Sequence, residues 1–329
     1  MVLLDRYWEK HAQKLASAER AKIALAKWRD WWAGKTVADL TLDNQRAFVE
    51  HLQRKPIERG SRSEKMSSGS VARDFGVGKA AIAWAYKNQE IKSHPYVMAI
   101  ASESTRDRTL TIEESARILN ASAASEHTWR YALLAFATAA RPGAILGITT
   151  SREQIDLDRY RLNLLPPGEA QKPKKRKPIL PMPTAIIPWL RLWMRPEALV
   201  YRATRKGRSK VRLEHLITFH GKRLARARET FDLIKQRAEF DDPTVTAYTI
   251  RHTMATWMAE REVPDREREM WLGHRGPGSK TTARYTHLKP DYLRNAAAAV
   301  DAYFTAVAPL VTTKSIKVLA MVSASQEKA

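Results

Sequence analysis

Between residues 138 and 287 the sequence carries side chains suited to an anionic reaction centre. They are Arg141 in Thr-Ala-Ala-Arg-Pro-Gly-Ala-Ile-Leu, the basic run Lys172-Pro-Lys-Lys-Arg-Lys177, Arg251 in Tyr248-Thr-Ile-Arg-His-Thr, His274 in Leu-Gly-His, and Tyr285 in Thr-Thr-Ala-Arg-Tyr-Thr-His. A guanidinium presents a planar fork of donors to two non-bridging phosphate oxygens, so Arg141 and Arg251 can each stabilise charge there. A phenol, with a reference pKa of about 10, must lose its proton as it attacks, which suits Tyr285 to a nucleophile's place. A departing alkoxide needs a proton, and a lysine crowded by other cations gives one up more readily. His274 can bond to the phosphate or support proton traffic. The chemistry these groups suit together is phosphoryl transfer, which requires charge stabilisation, an in-line nucleophile and a protonated leaving group. Taken singly, each has a plainer reading: Arg141 as a surface or capping arginine, His274 as a helix cap, Tyr285 as half-buried packing. Their order along the chain favours the chemical one.

The elements that must hold these groups are mostly helical. Tyr131 lies in an apolar run, residues 131–140, bounded by Arg130 and Arg141; it is too short to span a bilayer and reads as a buried helix that ends at Arg141. The order Tyr160, Leu162 and Leu164 alternating with Arg161 and Asn163 is a strand pattern, Pro166-Pro167-Gly168 breaks it, and Ile179-Leu180 suits a returning strand. A small antiparallel sheet carrying a basic hairpin is therefore expected at residues 160–180. Helices are expected before it from Thr111-Ile-Glu-Glu114, a capping-box pattern, and after it from about residue 185 to 307.

The first hundred residues show apolar stripes at helical spacing: Tyr7, Trp8, His11 and Leu15; Ile23, Leu25, Trp28, Trp31 and Trp32; Phe48, Val49 and Leu52 after Thr41; and Val71, Phe75, Gly78, Ile82 and Ala85. They read as the core of a helical bundle, the tryptophans included. Residues 55–70 read as a loop. The expected organisation is a helical domain over 1–100, a polar linker at 101–108, a second domain over 109–307, and a tail at 308–329 with an apolar patch at 316–322. The fold class is mainly α, of the α+β kind.

The chain has 329 residues, 57 Lys plus Arg against 35 Asp plus Glu, a net charge of +22 and a pI near 10.2. Such an excess favours a polyanionic partner, because each neutralised phosphate releases counterions. The absence of cysteine excludes disulfides, thiolate zinc sites and Cys nucleophiles. The N-terminus lacks signal-peptide order, no phosphate-binding Gly-rich loop has the spacing for NTP hydrolysis, and no His-Glu-x-x-His is present. The paired acids Asp156/Asp158 and Asp241/Asp242 suit turns and caps better than a two-metal nuclease.

The order Arg, basic hairpin, Arg-His, Leu-Gly-His, Tyr resembles the catalytic domain of the tyrosine recombinases, the phage integrase family, and the resemblance covers nearly the whole chain. It implies that residues 1–100 form a helical core-binding domain clasping the other face of duplex DNA, opposite a catalytic domain with a small antiparallel sheet. It implies cleavage and rejoining of double-stranded DNA through a 3′-phosphotyrosyl link on Tyr285, releasing a 5′-hydroxyl, with no metal, ATP or other cofactor. The resemblance assigns catalytic places to Arg141, Tyr248, Arg251, His274 and Tyr285. Counting back from Lys177-Pro178 favours Lys174 as the proton donor, with Lys172 the alternative. Lys172, Lys175, Arg176 and Lys177 of the hairpin are expected to contact DNA; for Arg205, Lys206 and Arg208 a phosphate-contacting loop and a solvated one stand equal. The implied setting is a homo-tetramer on paired DNA sites, with the C-terminal segment packing on a neighbour and accessory DNA-bending proteins. The resemblance also implies a cytoplasmic, bacterial or phage-encoded, nucleoid-associated protein with no membrane partner, integrating or excising a prophage or other mobile element. No arm-binding domain is expected, since helical signals begin almost at Met1.

The sequence departs from the family pattern at Tyr248, where the family often has His, at Ala144, where an acid usually follows the first Arg, and in a slightly long interval around Arg275-Gly-Pro-Gly278. A tyrosine cannot shuttle protons near neutral pH, and without the acid another group must orient Arg141. Two alternatives follow: a type IB topoisomerase-like enzyme with the same chemistry, and a catalytically silent sequence-specific DNA-binding relative. A basic RNA-binding protein is a third, disfavoured by the lack of an aromatic platform.

Overall fold

The computed structural model describes residues 2–54, 56–59, 62–101, 108–172, 175–202, 210–274 and 290–312. The chain forms two compact units, Met1–Arg106 and Asp107–Ala329.

In the first unit the apolar stripes become helices α1 (Val2–Lys10), α2 (Ala18–Trp31), α3 (Leu42–Arg54) and α4 (Ser68–Lys87). Their core centres on Trp28, which is 2% exposed and packs against Trp32, Phe48 and Phe75. Gly78 is glycine for packing: a Cβ there would sit 2.0 Å from the Trp28 ring. The Trp28 indole donates to the Asp74 carbonyl at 3.0 Å, and the buried Asp74 carboxylate is neutralised by Arg20 and Lys27, each at 2.6 Å. Residues 55–70 are not simply a loop. Strands β1 (Pro56–Arg59) and β2 (Arg62–Lys65) pair antiparallel there, before α4 begins.

The second unit opens with α5 (Ile112–Ser122), started by the Thr111/Glu114 capping box, then α6 (Glu126–Thr138). Every residue of α6 from Thr128 to Thr138 is buried, so this helix is the axis of the larger core, as its unbroken apolar run requires. A three-stranded antiparallel sheet follows, in the order β3 (Ile155–Asp156), β4 (Arg161–Asn163), β5 (Ile179–Pro181), with Leu162 opposite Leu180. The β4–β5 pair occupies the expected positions; β3, two residues long, has no alternation to announce it.

The remainder is less uniformly helical than the sequence suggests. After the short helices α7 (Pro142–Ile145), which precedes the sheet, and α8 (Ile187–Trp193), which follows it, come two hairpins, β6 (Val200–Arg202) with β7 (Lys210–Arg212) and β8 (Thr218–Phe219) with β9 (Lys222–Arg223). These correct the expectation of continuous helix from residue 185. Helices α9 (Ala227–Arg237), α10 (Thr249–Glu260), α11 (Asp265–Trp271) and α12 (Arg294–Val307) complete the unit. The buried Glu267 of α11 accepts from the backbone of Asn295 and Ala296, fixing the start of α12. Asp156 and Asp242 serve turns, each accepting from backbone N–H groups just downstream. Among the described residues no helix is long and apolar enough to cross a membrane.

Candidate active site

The C-terminal end of α6 places the first arginine. Ala139 closes the helix in the left-handed region (φ 48°). Pro142 disfavours helical backbone at the residue before it, so Arg141 is extended (φ −63°, ψ 140°) and caps α7 rather than continuing α6. The turn between two helices thus projects Arg141 from an otherwise buried segment. The contact the structure gives its guanidinium is a long one, Nη1 to the Arg176 carbonyl at 3.4 Å.

Arg251, in the first turn of α10, is treated differently. It is 8% exposed and held by three bonds: Nη1 to the Ala139 carbonyl at 2.8 Å, Nη2 to the Leu272 carbonyl at 2.6 Å, and Nη2 to His274 Nε2 at 2.8 Å. Burial, and next the charge of Arg141, bring its pKa down to about 10. It remains a cation at neutral pH, short of the solvation that an approaching anion would replace.

His274 is positioned by backbone geometry. Gly273 is left-handed (φ 65°), its N–H donates to Met270 O at 3.0 Å, and the His274 N–H donates to Glu269 O at 2.8 Å. This is a Schellman termination of α11, so Leu-Gly-His is both a helix cap and the means of aiming an imidazole. Because a guanidinium only donates, Nε2 accepts from Arg251 and the ring proton lies on Nδ1. Burial, then Arg251, then Arg141 lower the His274 pKa below its ordinary 6.5.

Gly273 also explains how close the basic hairpin comes. A Cβ at this position would lie 2.3 Å from the Arg176 carbonyl oxygen. The hairpin's returning leg therefore rests directly on the α11 terminus. Between them a cavity of about 290 Å³ is lined by Arg141, Ala144, Tyr248 and Arg251 on one side and Glu169, Lys172, Lys175, Arg176 and Lys177 on the other. Tyr248, 44% exposed, stands at the start of α10.

The cavity thus gathers Arg141, Tyr248, Arg251, Lys172, Lys175, Arg176 and Lys177, with His274 bonded to Arg251. Lys174, Tyr285, Arg205, Lys206 and Arg208 lie outside the described residues, as does the patch at 316–322. Sequence reasoning passes over Glu169 and Gln171. Lys177 Nζ pairs with Glu169 Oε2 at 2.6 Å, and Gln171 bonds to both the N–H and the carbonyl of Lys177. One signal is present: Glu169 is the single acidic residue in the whole stretch 159–196.

The model of the phage integrase family matches residues 108–291, more than half of the chain. A search of the curated proteins gave no match. Among solved structures, a lambda integrase dimer bound to a core site shares 18% identity, covers 84% of this chain and 94% of its own, and superposes with a TM-score of 0.58. The integrase of transposon Tn1549, in complex with transposon right end DNA, shares 13% identity over 89% of this chain and 96% of its own, TM-score 0.58. The XerH site-specific recombinase bound to its difH substrate shares 15% identity over 90% of this chain and 83% of its own, TM-score 0.55. At such identities the structural likeness establishes the fold, mainly helical with small antiparallel sheets. With the family match over its larger unit, the chain belongs to the phage integrase family.

Proposed function

We propose that the protein is a site-specific DNA recombinase that cuts and rejoins duplex DNA through a 3′-phosphotyrosyl intermediate. The observation that carries this is the cavity in which two arginines, Arg141 and Arg251, face the basic hairpin around a space that suits a phosphodiester. Arg251, fixed and under-solvated, and Arg141, more loosely held, take the non-bridging oxygens; His274 offers its Nδ1 proton as a further donor, and Tyr248 its hydroxyl. Tyr285 attacks phosphorus, its phenolic proton passing to solvent, and the P–O5′ bond breaks as a hairpin lysine protonates the 5′-oxygen. Lys172, in the cavity wall, and Lys174 are the donors in question. The new ester keeps the energy of the bond it replaced, so reversal rejoins a strand without a cofactor.

The partner is double-stranded DNA, engaged by the basic catalytic unit and clasped by the helical unit. The working form is a homo-tetramer on paired sites, with DNA-bending proteins where architecture requires them, and the role is integration or excision of a prophage or other mobile element. The similar structures support the DNA partner, since each of those proteins was captured with DNA.

Covalent trapping tests the proposal. The protein is mixed, without metal or ATP, with nicked duplexes drawn from the DNA flanking its gene and run on a denaturing gel beside Tyr285→Phe. The expected result is an adduct that the Phe variant does not form. Tight DNA binding with no adduct from either protein would replace this proposal with a silent DNA-binding relative. Relaxation of any supercoiled plasmid, without sequence preference, would favour a type IB topoisomerase-like enzyme.

A further inference from the structure

The cavity's cations outnumber its acids, and among the described residues lining it the one carboxylate is Glu169. A lone carboxylate beside a phosphate site repels the substrate unless it is committed elsewhere. Here it is committed: Glu169 Oε2 holds Lys177 Nζ at 2.6 Å, and that lysine side chain is 18% exposed. Two residues along, Gln171 Nε2 donates to the Lys177 carbonyl at 2.8 Å while Gln171 Oε1 accepts from the Lys177 N–H at 2.7 Å. The Gln171 amide thus imitates a strand neighbour, pairing with both backbone groups of one residue. It ties Gln171 to Lys177 at a point where the strand register of β4 with β5, which ends at Asn163 opposite Ile179, has already stopped. On the far side the same leg abuts Gly273 through the Arg176 carbonyl.

We propose that Glu169 and Gln171 are positioning residues for leaving-group protonation: they latch Lys177 as a strut, and by fixing the chain at 171 and 177 they position the proton-donating lysine that lies between them in sequence. This inference rests on the recombinase reading above. It divides the basic run by task. Lys177 is withdrawn from DNA contact by Glu169, whereas Lys172 and Lys175, both exposed and both in the cavity wall, remain available. It also holds whether Lys172 or Lys174 is the donor, since both lie in sequence between Gln171 and Lys177. The step it serves balances: the Tyr285 oxygen bonds to phosphorus as its phenolic proton passes to solvent, the P–O5′ bond breaks, and the lysine ammonium gives its proton to O5′. Misplacing a donor by about an ångström costs on the order of a hundredfold in rate.

A substrate with sulfur in place of the bridging 5′-oxygen separates this role from a general one. A thiol is far more acidic than an alcohol, with a reference pKa near 8.5, so a thiolate leaves without being protonated. Adduct formation is measured for the native protein, Gln171→Ala and Glu169→Gln on matched oxygen and sulfur substrates, with DNA affinity and thermal melting recorded for each. The latch predicts a fall of about tenfold to a hundredfold on the oxygen substrate for Gln171→Ala, a smaller fall for Glu169→Gln, and near-native rates for both on the sulfur substrate. Equal slowing on the two substrates, or no slowing on either, overturns it. If the native protein binds DNA but forms no adduct with either substrate, the recombinase reading itself fails, and that result is distinct from the other two.

Discussion

The two walls of the cavity are built by opposite means. On the α10–α11 side, Arg251 is buried and locked to carbonyls from residues 112 and 21 positions away in sequence, and His274 is aimed by a helix terminator. On the hairpin side the basic residues are mostly exposed, and position comes from a side-chain clasp on one residue, Lys177. Arg141 belongs to neither pattern, its backbone fixed by Pro142 while its guanidinium reaches one carbonyl at 3.4 Å. On the proposed reading, the difference teaches that charge stabilisation is preorganised in the core, where it needs no rearrangement when a phosphate arrives. On the same reading the proton donor belongs to the exposed hairpin side, which can be adjusted separately.

The sharpest way to break this comparison is to replace each arginine by lysine. A lysine at 251 keeps the charge but gathers its donors at one point, so it cannot serve the Ala139 and Leu272 carbonyls and His274 together. Arg251→Lys is expected to lose about 1–3 kcal/mol of stability and on the order of a hundredfold or more in adduct formation. Arg141→Lys is expected to lose activity on a similar scale while its stability stays within about 0.5 kcal/mol, as for other changes that break no buried network. Thermal melting beside the trapping assay reads both, and equal destabilisation by the two changes would erase the distinction between buried and loosely held arginine.

A smaller effect is expected where the walls meet. Gly273→Ala adds a Cβ at 2.3 Å from the Arg176 oxygen and forces alanine to φ 65°. Left-handed strain in a non-glycine residue costs about 1–3 kcal/mol, and a displaced hairpin costs up to about a hundredfold in rate. A crystal structure of the variant should show the Arg176 carbonyl pushed away from the new methyl group. If the hairpin keeps its native place and adduct formation is unchanged, the two walls are not held in register through this contact.

Much of this is legible in sequence, for reasons that can be named. The apolar run at 131–140 reads as a buried helix, although that helix ends at Thr138 rather than Arg141, and the glycine in Leu-Gly-His announces a left-handed turn. The strand alternation at 160–164 and the Thr111/Glu114 cap are equally local signals. What escapes are polar hairpins and remote partners. Strands β1 and β2 lie in a Ser-, Arg- and Lys-rich stretch with no apolar alternation, and β6 and β7 flank a basic run. Nor does any local pattern connect Arg251 to a carbonyl at 139, since backbone acceptors carry no residue signature. Gln171 is hidden for the related reason that a glutamine beside lysines reads as solvated surface until its partner's backbone is seen.

The smallest expected effect concerns the protonation of His274, and it sharpens the contrast between the walls because it exists only on the buried side. Neutral Nε2 accepts from Arg251, and protonation would replace that bond by two facing cations. The folded pKa therefore lies below the ordinary 6.5, by burial first and then by Arg251 and Arg141. Near neutrality the folded protein binds fewer protons at this site than the unfolded chain. The associated stability is therefore present in full above 6.5 and is lost as pH falls from there through the lowered value. Imidazole resonances followed by NMR, with His274 assigned by comparison with His274→Gln, should give a midpoint below 6.5 in the free protein. The midpoint should move upward when DNA is bound, because a phosphate beside the ring favours its charged form. A midpoint at or above 6.5 without DNA would mean that Nε2 does not accept from Arg251. The buried wall would then be held by two carbonyls alone, with His274 free to act with the hairpin.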